Sequence, residues 1–453
     1  MNLTGKKILV LGLGDTGLSM VRWLVRHGAT VRAADSRAQP PHAAQIRRQW
    51  PQVEIVTGAF NAACFHGIDL IALSPGIALA SLPPTAVPVV GDVELFAQAL
   101  APRAAKVIAI TGANGKTTVT ALCGAMCQQS GARTVVAGNI GLPVLDALSA
   151  IDDGAAMPEI FVLELSSFQL ETTSSLDADA ATVLNVTQDH LDRYPDMVAY
   201  AAAKARIFIG QGIQLLNRED AYSQVMAVPG RRVQRFGLSA PANDDDWGVA
   251  QIDGAAWLAH GQHPLLPCED IPLAGRHNAA NALAALALCT AIGLPMTPLL
   301  AALRAFTGLP HRVQKIAEIG GVIFYDDSKG TNVGATVAAL TGMRECTVLI
   351  AGGEGKGQDF TPLKSACAAH ARAVVLIGHA APQIAAALEN CGVPVLPARD
   401  MDEAVRLAFQ ASRAGDVVLL SPACASFDMF RNYVHRAEMF IAAVQKLQAE
   451  RAA

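Results

Sequence analysis

The chain has 453 residues, which at roughly 150 residues per domain predicts about three domains. Hydrophobic residues make up 52% of the chain and charged residues 16%, a composition that excludes an intrinsically disordered protein. The formal net charge is −4 and no basic block is present, which argues against nucleic acid as the main partner. The nine cysteines form no CxxC pair, which is typical of reduced thiols and predicts a cytoplasmic protein.

We predict no membrane span and no signal peptide. The best candidate for a span, 282–296, is short, rich in alanine and broken by Thr290, Gly293 and Pro295, so we predict a buried helix there. The first residues lead directly into a strand, which leaves no room for a signal peptide.

The first predicted domain covers residues 1–98 and opens with a βαβ unit. A strand over 8–11 is followed by the turn GLGDTG, a helix over 18–27 and a second strand over 31–34 that leads to Asp35. A GxGxxG turn with an acidic residue 18 positions after its last glycine is typical of dinucleotide binding. Taken alone, this pattern indicates a nicotinamide-dependent dehydrogenase.

The most informative segment is TGANGKTT, at 111–118 in the second predicted domain, which covers 99–308. It follows an apolar run over 105–110 that predicts a buried strand, and it precedes a predicted helix over 119–130. Its glycines let backbone N–H groups point at phosphate oxygens, and the helix N-terminus adds a partial positive charge. Lys116 could reach the β- and γ-phosphates, and the threonine after it could ligate Mg²⁺. The strict P-loop pattern has a glycine where this chain has isoleucine, so the segment is a shorter variant that predicts ATP or GTP binding.

Three polar clusters follow predicted strands over 134–137, 160–165 and 181–186. Because ligands of parallel α/β sheets bind at the carboxyl ends of strands, the clusters indicate one site. Glu164, at the end of the second strand, could hold Mg²⁺ or form an ordinary strand-end ion pair. His190, in the polar loop after the third strand, is equally compatible with a functional and a structural role.

The rest of the second domain gives weaker signals. On periodicity alone, Lys204 is an ordinary helix lysine. Short alternating runs and polar turns over 215–272 predict a small β-rich insertion, and a helix is predicted to begin near Asn278.

The third predicted domain, 309–453, again alternates strands and helices. Its predicted strands cover 322–325, 347–351, 373–377 and 417–420. The cluster AGGEGKG after the second of these strands predicts an anion-binding loop or, alternatively, a flexible surface loop. Cys424 has no His/Asn context that would support a nucleophile, and we interpret it as a small packing residue. The chain is thus predicted to be α/β throughout.

Eight motifs in chain order carry a resemblance to a known family. They are TGANGKTT, LELSSFQLE, NVTQDHLDRY, LAGRHNAAN, GLPHR, DDSKGTN, GGEGKG and SPACASFD. The chain resembles the Mur ligases of peptidoglycan synthesis over essentially its whole length. LELSSFQLETTSSL and SPACASFD are specific to the members that add D-glutamate, whereas TGxNGKTT marks a wider superfamily that includes the folylpolyglutamate synthases.

The resemblance implies an architecture and a reaction. A Rossmann-like UDP-binding domain, a central P-loop ATPase-type domain and a Rossmann-like C-terminal domain would together bind ATP, UDP-N-acetylmuramoyl-L-alanine and D-glutamate. ATP would phosphorylate the terminal carboxylate, and the D-glutamate amine would attack the acyl phosphate. The GxGxxG turn would then hold the UDP part of the substrate rather than NAD. We further expect a monomer and hinge motion near residues 306–312.

The resemblance also implies roles for individual residues. ATP would lie on Gly112, Asn114, Gly115, Lys116, Thr117, Thr118, Asn278, Asn281, Arg312 and Asp327. The UDP-linked substrate would lie along Asp15, Thr16, Asp35, Ser36, Arg37, Ser74, Gly76, Asn139 and His190. D-glutamate would contact Lys329, Thr331, Lys356, Ser426, Phe427 and Tyr433, the last standing where the family has phenylalanine. Lys116, Glu164, His190 and Lys204 would be catalytic.

Two Mg²⁺ ions and a modified lysine are implied in the same way. Thr117 and Glu164 would ligate one ion and His190 the second, which a carbamate on Lys204 would support. Three alternatives stay open: another Mur ligase, a folylpolyglutamate synthase-like enzyme and a nucleotide-binding regulatory protein without catalysis. The intact set of Lys116, Glu164, His190 and Lys204 argues against lost catalysis.

Overall fold

The computed structural model describes residues 2–102 and 104–452 of the chain. Within these residues the chain forms three β-sheets, of five, nine and six strands. We call the parts of the chain that form them the first, central and third units. The predicted α/β class and three-part architecture are confirmed.

The first unit is a doubly wound parallel sheet. Its strands are β1 (Lys7–Leu11), β2 (Thr30–Asp35), β3 (Glu54–Thr57), β4 (Leu70–Leu73) and β5 (Val89–Val90). Its helices are α1 (Asp15–Arg26), α2 (Ala43–Gln49), α3 (Ala62–Phe65) and α4 (Asp92–Leu100). The strand order is β3-β2-β1-β4-β5, so the direction of winding reverses between β1 and β4. Open parallel sheets bind ligands at this reversal, where the GLGDTG turn leaves β1.

The central unit contains the longest sheet. Its strands are β6 (Lys106–Thr111), β7 (Thr134–Gly138), β8 (Ile160–Glu164), β9 (Ala180–Val183), β10 (Ile213–Asn217), β11 (Val233–Phe236), β12 (Trp247–Ile252), β13 (Ala255–His260) and β14 (His263–Pro267). Its helices are α5 (Lys116–Gln129), α6 (Val144–Asp152), α7 (Ser167–Leu170), α8 (Met197–Ala205), α9 (Ala221–Gln224), α10 (Arg276–Ala291) and α11 (Met296–Ala305). Strands β6 to β11 pair in parallel, and β12 to β14 form an antiparallel meander.

The predicted β-rich character of residues 215–272 is confirmed. Strands β10 to β14 extend the central sheet in the order β14-β13-β12-β11-β10-β9. A single residue pair, Phe236 with Trp247, joins β11 to β12. Both side chains are buried, so the meander shares the core of the central unit.

Helix α10 contains the first ten residues, 282–291, of the predicted buried segment 282–296. Residues 282–289 have no exposed surface because α10 lies against α5 and the central sheet, which confirms the predicted buried helix. Cys123 and Cys127 of α5 and Cys289 of α10 are fully buried in this contact. In the described part of the chain, no helix is both long and apolar enough to cross a membrane.

The third unit is again mostly parallel. Its strands are β15 (Gln314–Ile319), β16 (Val322–Asp326), β17 (Thr347–Gly352), β18 (Ala371–Ile377), β19 (Val395–Pro397) and β20 (Val417–Leu420), in the order β15-β16-β20-β17-β18-β19. Its helices are α12 (Val333–Gly342), α13 (Pro362–His370), α14 (Ala381–Ala387), α15 (Met401–Ala411) and α16 (Tyr433–Ala452). The carboxyl ends of β16, β20 and β17 are adjacent, so the loops that follow them lie at one edge of the sheet.

Polar contacts fix the first unit on the central unit. Glu94 of α4 accepts hydrogen bonds from the backbone N–H groups of Ser174 (2.6 Å) and Ser175 (2.9 Å). Arg22 of α1 pairs with Asp146 of α6 at 2.6 Å. The predicted domain boundary at 98 falls inside α4, and that at 308 falls between α11 and β15; both stay predictions.

Candidate active site

The TGANGKTT segment connects β6 to α5, and its conformation requires glycine at position 115. Gly115 has a φ of +83°, and a Cβ there would lie 2.7 Å from the side-chain oxygen of Asn281. Helix α5 begins at Lys116, earlier than predicted, so its first N–H groups border the loop without helical partners. The Lys116 Nζ donates to the carbonyl oxygens of Gly112 (2.8 Å) and Ala113 (3.0 Å). The loop therefore combines free N–H groups with an amine, as an anion site requires.

A second lysine, Lys204 of α8, reaches the same point. Its side chain is buried, and its Nζ donates at 2.8 Å to the Gly112 carbonyl oxygen that Lys116 also contacts. Burial and the nearby Lys116 charge lower the pKa of Lys204 well below its usual value. The interpretation of Lys204 as an ordinary helix lysine is wrong, because periodicity does not reveal a long side chain that turns inward.

Glu164 provides a carboxylate beside the two lysines. It is buried at the end of β8, and its Oε1 accepts a hydrogen bond from the Asn139 side chain at 2.9 Å. Its Oε2 is buried and has no hydrogen-bond partner among the described residues. Buried polar atoms are rarely left unpaired, so this oxygen marks a place where a cation or donor would bind.

His190 follows β9 in a polar loop and has a φ of +55°. Its ring meets Phe168 edge-on, with centroids 4.7 Å apart, and its Nε2 lies 3.7 Å from a carboxylate oxygen of Asp189. Burial lowers the pKa of His190, and the Lys116 charge adds to this effect, although Asp189 opposes it. The lowered pKa favours the neutral imidazole, which is the form that ligates metal ions.

A cavity of about 240 Å³ lies between the central and third units. Eight of the predicted site residues line it: Asn114, Gly115, Thr118, Asn278, Asn281, Arg312, Asp327 and Lys329. The Arg312 guanidinium crosses between the units and donates to the Thr117 hydroxyl at 2.6 Å. Burial raises the pKa of Asp327 to about 7. Because both units supply its walls, a ligand in this cavity would hold the two units together.

A separate cavity of about 390 Å³ lies in the first unit. The predicted UDP-site residues Asp15, Thr16, Asp35, Ser36, Arg37, Ser74 and Gly76 all line it. Asp35 accepts from the Leu13 N–H at 2.7 Å and pairs with Arg37 at 2.6 Å, and the Arg37 side chain lowers the pKa of Asp35 to about 2. Asn139 and His190, predicted for the same substrate, lie outside this cavity in the central unit.

The residues predicted for D-glutamate lie on loops at one edge of the third sheet. Lys329 and Thr331 follow β16, Lys356 follows β17, Ser426 and Phe427 follow β20, and Tyr433 begins α16. The Lys329 Nζ lies 3.9 Å from the centre of the Tyr433 ring, and burial lowers the pKa of Lys329 to about 8. Ser426 is buried, whereas the Phe427 side chain is 66% exposed. The loops are thus gathered together, but Phe427 is not enclosed by them.

Sequence analysis missed Arg436, a fully buried arginine on α16. Its guanidinium donates to the Ser328 carbonyl (2.7 Å) and hydroxyl (3.0 Å) and to the Cys424 carbonyl (3.1 Å). It therefore joins the loop that carries Lys329 to the loop that carries Ser426. No motif surrounds Arg436, so only its burial reveals it.

Three family models match the chain. They are the Mur ligase MurD-like N-terminal domain over residues 6–87, the Mur ligase middle domain over 110–289 and the Mur ligase glutamate ligase domain over 311–424. The chain belongs to the Mur ligase family and is an ATP-dependent amide-forming ligase.

Full-length relatives narrow the comparison. The chain is 58% identical to the UDP-N-acetylmuramoylalanine--D-glutamate ligase of Thiobacillus denitrificans, over 100% of this chain and 98% of the relative. It is also 58% identical to the enzyme of the same name from Methylobacillus flagellatus, over 99% and 98% of the two chains.

Solved structures support the fold. MurF from Acinetobacter baumannii is 18% identical, with a TM-score of 0.62 over 96% of this chain and 93% of that one. MurC from Thermotoga maritima is 19% identical, with a TM-score of 0.58 over 97% and 99%. At these identities the likeness concerns the fold alone.

The Arg436 contacts predict a selective defect. Arg436→Lys should raise the KM for D-glutamate about tenfold, because lysine cannot bond both loops and a hydrogen bond to a charged group contributes about 1.5–3 kcal/mol. The KM for ATP should change less. Steady-state kinetics would test this, with Arg451→Lys on the exposed side of the same helix as control. Equal shifts in both KM values would contradict the assignment.

The central and third units both line the cavity of about 240 Å³, which predicts that a ligand there brings the two units closer together. We expect ATP and the UDP-linked substrate to favour a more compact molecule, since the third unit reaches the phosphate loop through Arg312. Small-angle X-ray scattering with and without both ligands would measure the radius of gyration. Identical profiles would count against hinge motion near residues 306–312.

Proposed function

We propose that this enzyme joins D-glutamate to UDP-N-acetylmuramoyl-L-alanine with ATP, releasing ADP and phosphate, in the synthesis of peptidoglycan precursors. The observation that carries the proposal is the 58% identity, over nearly the whole of both chains, to relatives named for this activity. The nucleotide character of two substrates favours a cytoplasmic reaction. One chain supplies both cavities, which supports a monomer.

The reaction explains why cationic side chains crowd the site. A carboxylate is a poor electrophile, and transfer of a phosphoryl group to one of its oxygens supplies a good leaving group. The D-glutamate amine then attacks the acyl phosphate, and the tetrahedral intermediate collapses to an amide and phosphate. Both transition states concentrate negative charge, which Lys116, Arg312 and Lys329 are placed to stabilise.

The cavities suggest how the substrates are arranged. We assign the UDP part to the first-unit cavity and ATP to the cavity between the central and third units. The peptide end of the substrate would pass Asn139 and reach the centre formed by Lys116 and Lys204. D-glutamate would approach from the third-unit loops, where Lys356 and Lys329 could pair with its carboxylates.

The residues present fit Mg²⁺. The unpartnered Glu164 oxygen and the Thr117 hydroxyl would hold one ion, and the His190 imidazole, supported by Lys204, would hold a second. The described residues contain no cluster of three or more His, Cys, Asp or Glu side chains that could form an all-protein site. That composition suits Mg²⁺, which usually keeps several waters and binds through one or two protein groups and substrate phosphates. When bound, Mg²⁺ would neutralise phosphate charge.

The surroundings of Lys204 fit a carbamate. Burial and the Lys116 charge lower the pKa of Lys204, which favours the uncharged amine, the form that adds CO₂. The resulting negative group would lie beside Lys116, which shares the Gly112 carbonyl with Lys204. It would thereby relieve the crowding of two amines at one oxygen.

The proposed substrates predict a specific requirement for phosphate release. Phosphate should appear from ATP only when UDP-N-acetylmuramoyl-L-alanine and D-glutamate are both present, and L-glutamate should not replace D-glutamate. Phosphate release with another amino acid in place of D-glutamate would indicate a different Mur ligase activity. Release with folates would favour a folylpolyglutamate synthase-like enzyme, and no release with any pair would favour a regulatory protein.

Removal of the Lys116 amine tests whether the TGANGKTT loop binds the phosphates of ATP. Lys116→Ala should lower kcat by at least about a hundredfold, by analogy with loss of one charge-stabilising donor, while the fold remains intact. Lys106→Ala is a matched control, because Lys106 begins β6, at the end of that strand remote from the TGANGKTT loop, and bonds to the Ile292 carbonyl. A normal rate in Lys116→Ala would refute the assignment.

The carbamate can be tested separately from activity. After incubation with ¹³C-bicarbonate, the wild-type protein should show a carbamate carbon signal by NMR that Lys204→Ala lacks and Lys106→Ala retains. Lys204→Ala should also lose activity and partly recover it with short carboxylic acids, which can replace the negative group. An identical carbon spectrum for wild type and Lys204→Ala would refute the modification.

A further inference from the structure

The loop 187–194, which follows β9 and carries His190, bonds to all three units. Towards the third unit, the Asn332 side chain donates to Asp189 at 3.2 Å, and the Asp359 N–H donates to the Gln188 side chain at 3.3 Å. Within the central unit, the Asn114 side chain donates to the Thr187 hydroxyl at 3.0 Å.

Arg193 makes the contact with the first unit. Its guanidinium donates to the carbonyl oxygens of Pro75 (2.7 Å) and Ile77 (3.3 Å). It also pairs with Glu171 of the central unit at 2.7 Å, and only 10% of its side chain is exposed. Pro75 and Ile77 line the first-unit cavity beside Ser74. The wall of that cavity is therefore held directly by an arginine of the His190 loop.

Short contacts connect Arg193 with His190. The N–H of Arg193 donates to the His190 carbonyl at 3.0 Å, which closes a tight turn. The Phe168 ring touches both side chains: the Arg193 guanidinium lies 3.9 Å from its centre, and the His190 ring lies at 4.7 Å. A shift of Pro75 and Ile77 would thus be transmitted to His190 and to its neighbours Gln188 and Asp189.

We propose that Arg193 is a positioning residue that couples binding of a nucleoside diphosphate group in the first-unit cavity to closure of the third unit over ATP. The inference rests on the proposed function for the identity of the two ligands. A ligand in the first-unit cavity would fix residues 75–77, which line that cavity. Arg193, bonded to Pro75 and Ile77, would then fix the turn 190–193. The fixed turn would hold Gln188 and Asp189 in contact with the third unit. By linkage, each ligand strengthens binding of the other by the same factor.

The quantity to measure is the coupling factor, which is the ratio of the dissociation constants of an ATP analogue without and with the UDP-linked substrate. The dissociation constant of a non-hydrolysable ATP analogue would be determined by calorimetry with and without saturating UDP-N-acetylmuramoyl-L-alanine. For wild type we expect tighter binding with the UDP-linked substrate by a factor of about 5 to 150, the usual range for coupled sites. No change in wild type would overturn the inference.

Arg193→Lys is the main variant. Lysine can keep the ion pair with Glu171, but its single ammonium lacks the planar fork that spans Glu171 and two carbonyl groups. We expect unchanged affinity for the ATP analogue alone and a coupling factor that falls towards one. If Arg193 has a purely structural role, the variant should bind the ATP analogue more weakly both with and without the UDP-linked substrate. The coupling factor would then be unchanged, which would overturn the inference.

Arg218→Lys is the matched control. Arg218 also bonds to two carbonyl groups, those of Trp247 and Ser239, and lies 3.6 Å from the Asp246 carboxylate, all within the central unit. Its side chain is buried to a similar degree as that of Arg193. It should retain the wild-type coupling factor, and loss of coupling here as well would remove the special role of Arg193.

A second variant tests the other end of the loop. Asn332→Ser keeps a helix-capping hydroxyl on α12 but is too short to reach Asp189 or the Asn114 side chain, to which Asn332 also donates at 3.0 Å. It should reduce the coupling factor as Arg193→Lys does, and the double variant should lose little more because both act through one loop. If the two substitutions have additive effects on the coupling factor, the proposal that both act through the loop 187–194 is wrong. Absence of amide formation by wild type would refute the proposed function, whereas equal coupling in wild type and Arg193→Lys would refute this inference alone.

Discussion

The central constraint in this structure is that two lysine amines share one carbonyl oxygen. Lys116 and Lys204 both donate to Gly112 at 2.8 Å, in surroundings that exclude water from Lys204. Such crowding of like groups is unfavourable unless anions enter or one amine is uncharged. Burial and then the Lys116 charge lower the pKa of Lys204, and the nearby Glu164 carboxylate partly opposes this shift.

The GxGxxG turn of the first unit lies beside an acidic residue whose bonding differs from that which a nicotinamide-binding unit requires. In a nicotinamide-binding unit the acidic residue after the second strand is free to bond a ribose hydroxyl. Here Asp35 is buried and already takes the Leu13 N–H and the Arg37 guanidinium. Its carboxylate orients Arg37 at the cavity edge, so the unit presents a cation there.

Sequence patterns predicted the parallel strands well because both faces of these strands are buried, which makes them continuous apolar runs. Over 215–272 they predicted strands but not their place in the sheet, because one residue pair, Phe236 with Trp247, joins the meander to β11. Motifs also located the loops of the site. The motif NVTQDHLDRY contains Arg193 but does not reveal its role, and none of the eight motifs contains Arg436, because each arginine acts through backbone carbonyl groups brought close only by the tertiary fold.

The cysteine distribution has a practical consequence. The thiols between α5 and α10 are inaccessible, and Cys346 alone among the nine cysteines is exposed. Cys346 precedes β17, so a six-residue strand, about 17 Å long, separates it from the loops at the site. Cys346 is therefore an exposed thiol on the third unit, remote from the site loops. A fluorophore could be attached to it without introducing a new cysteine.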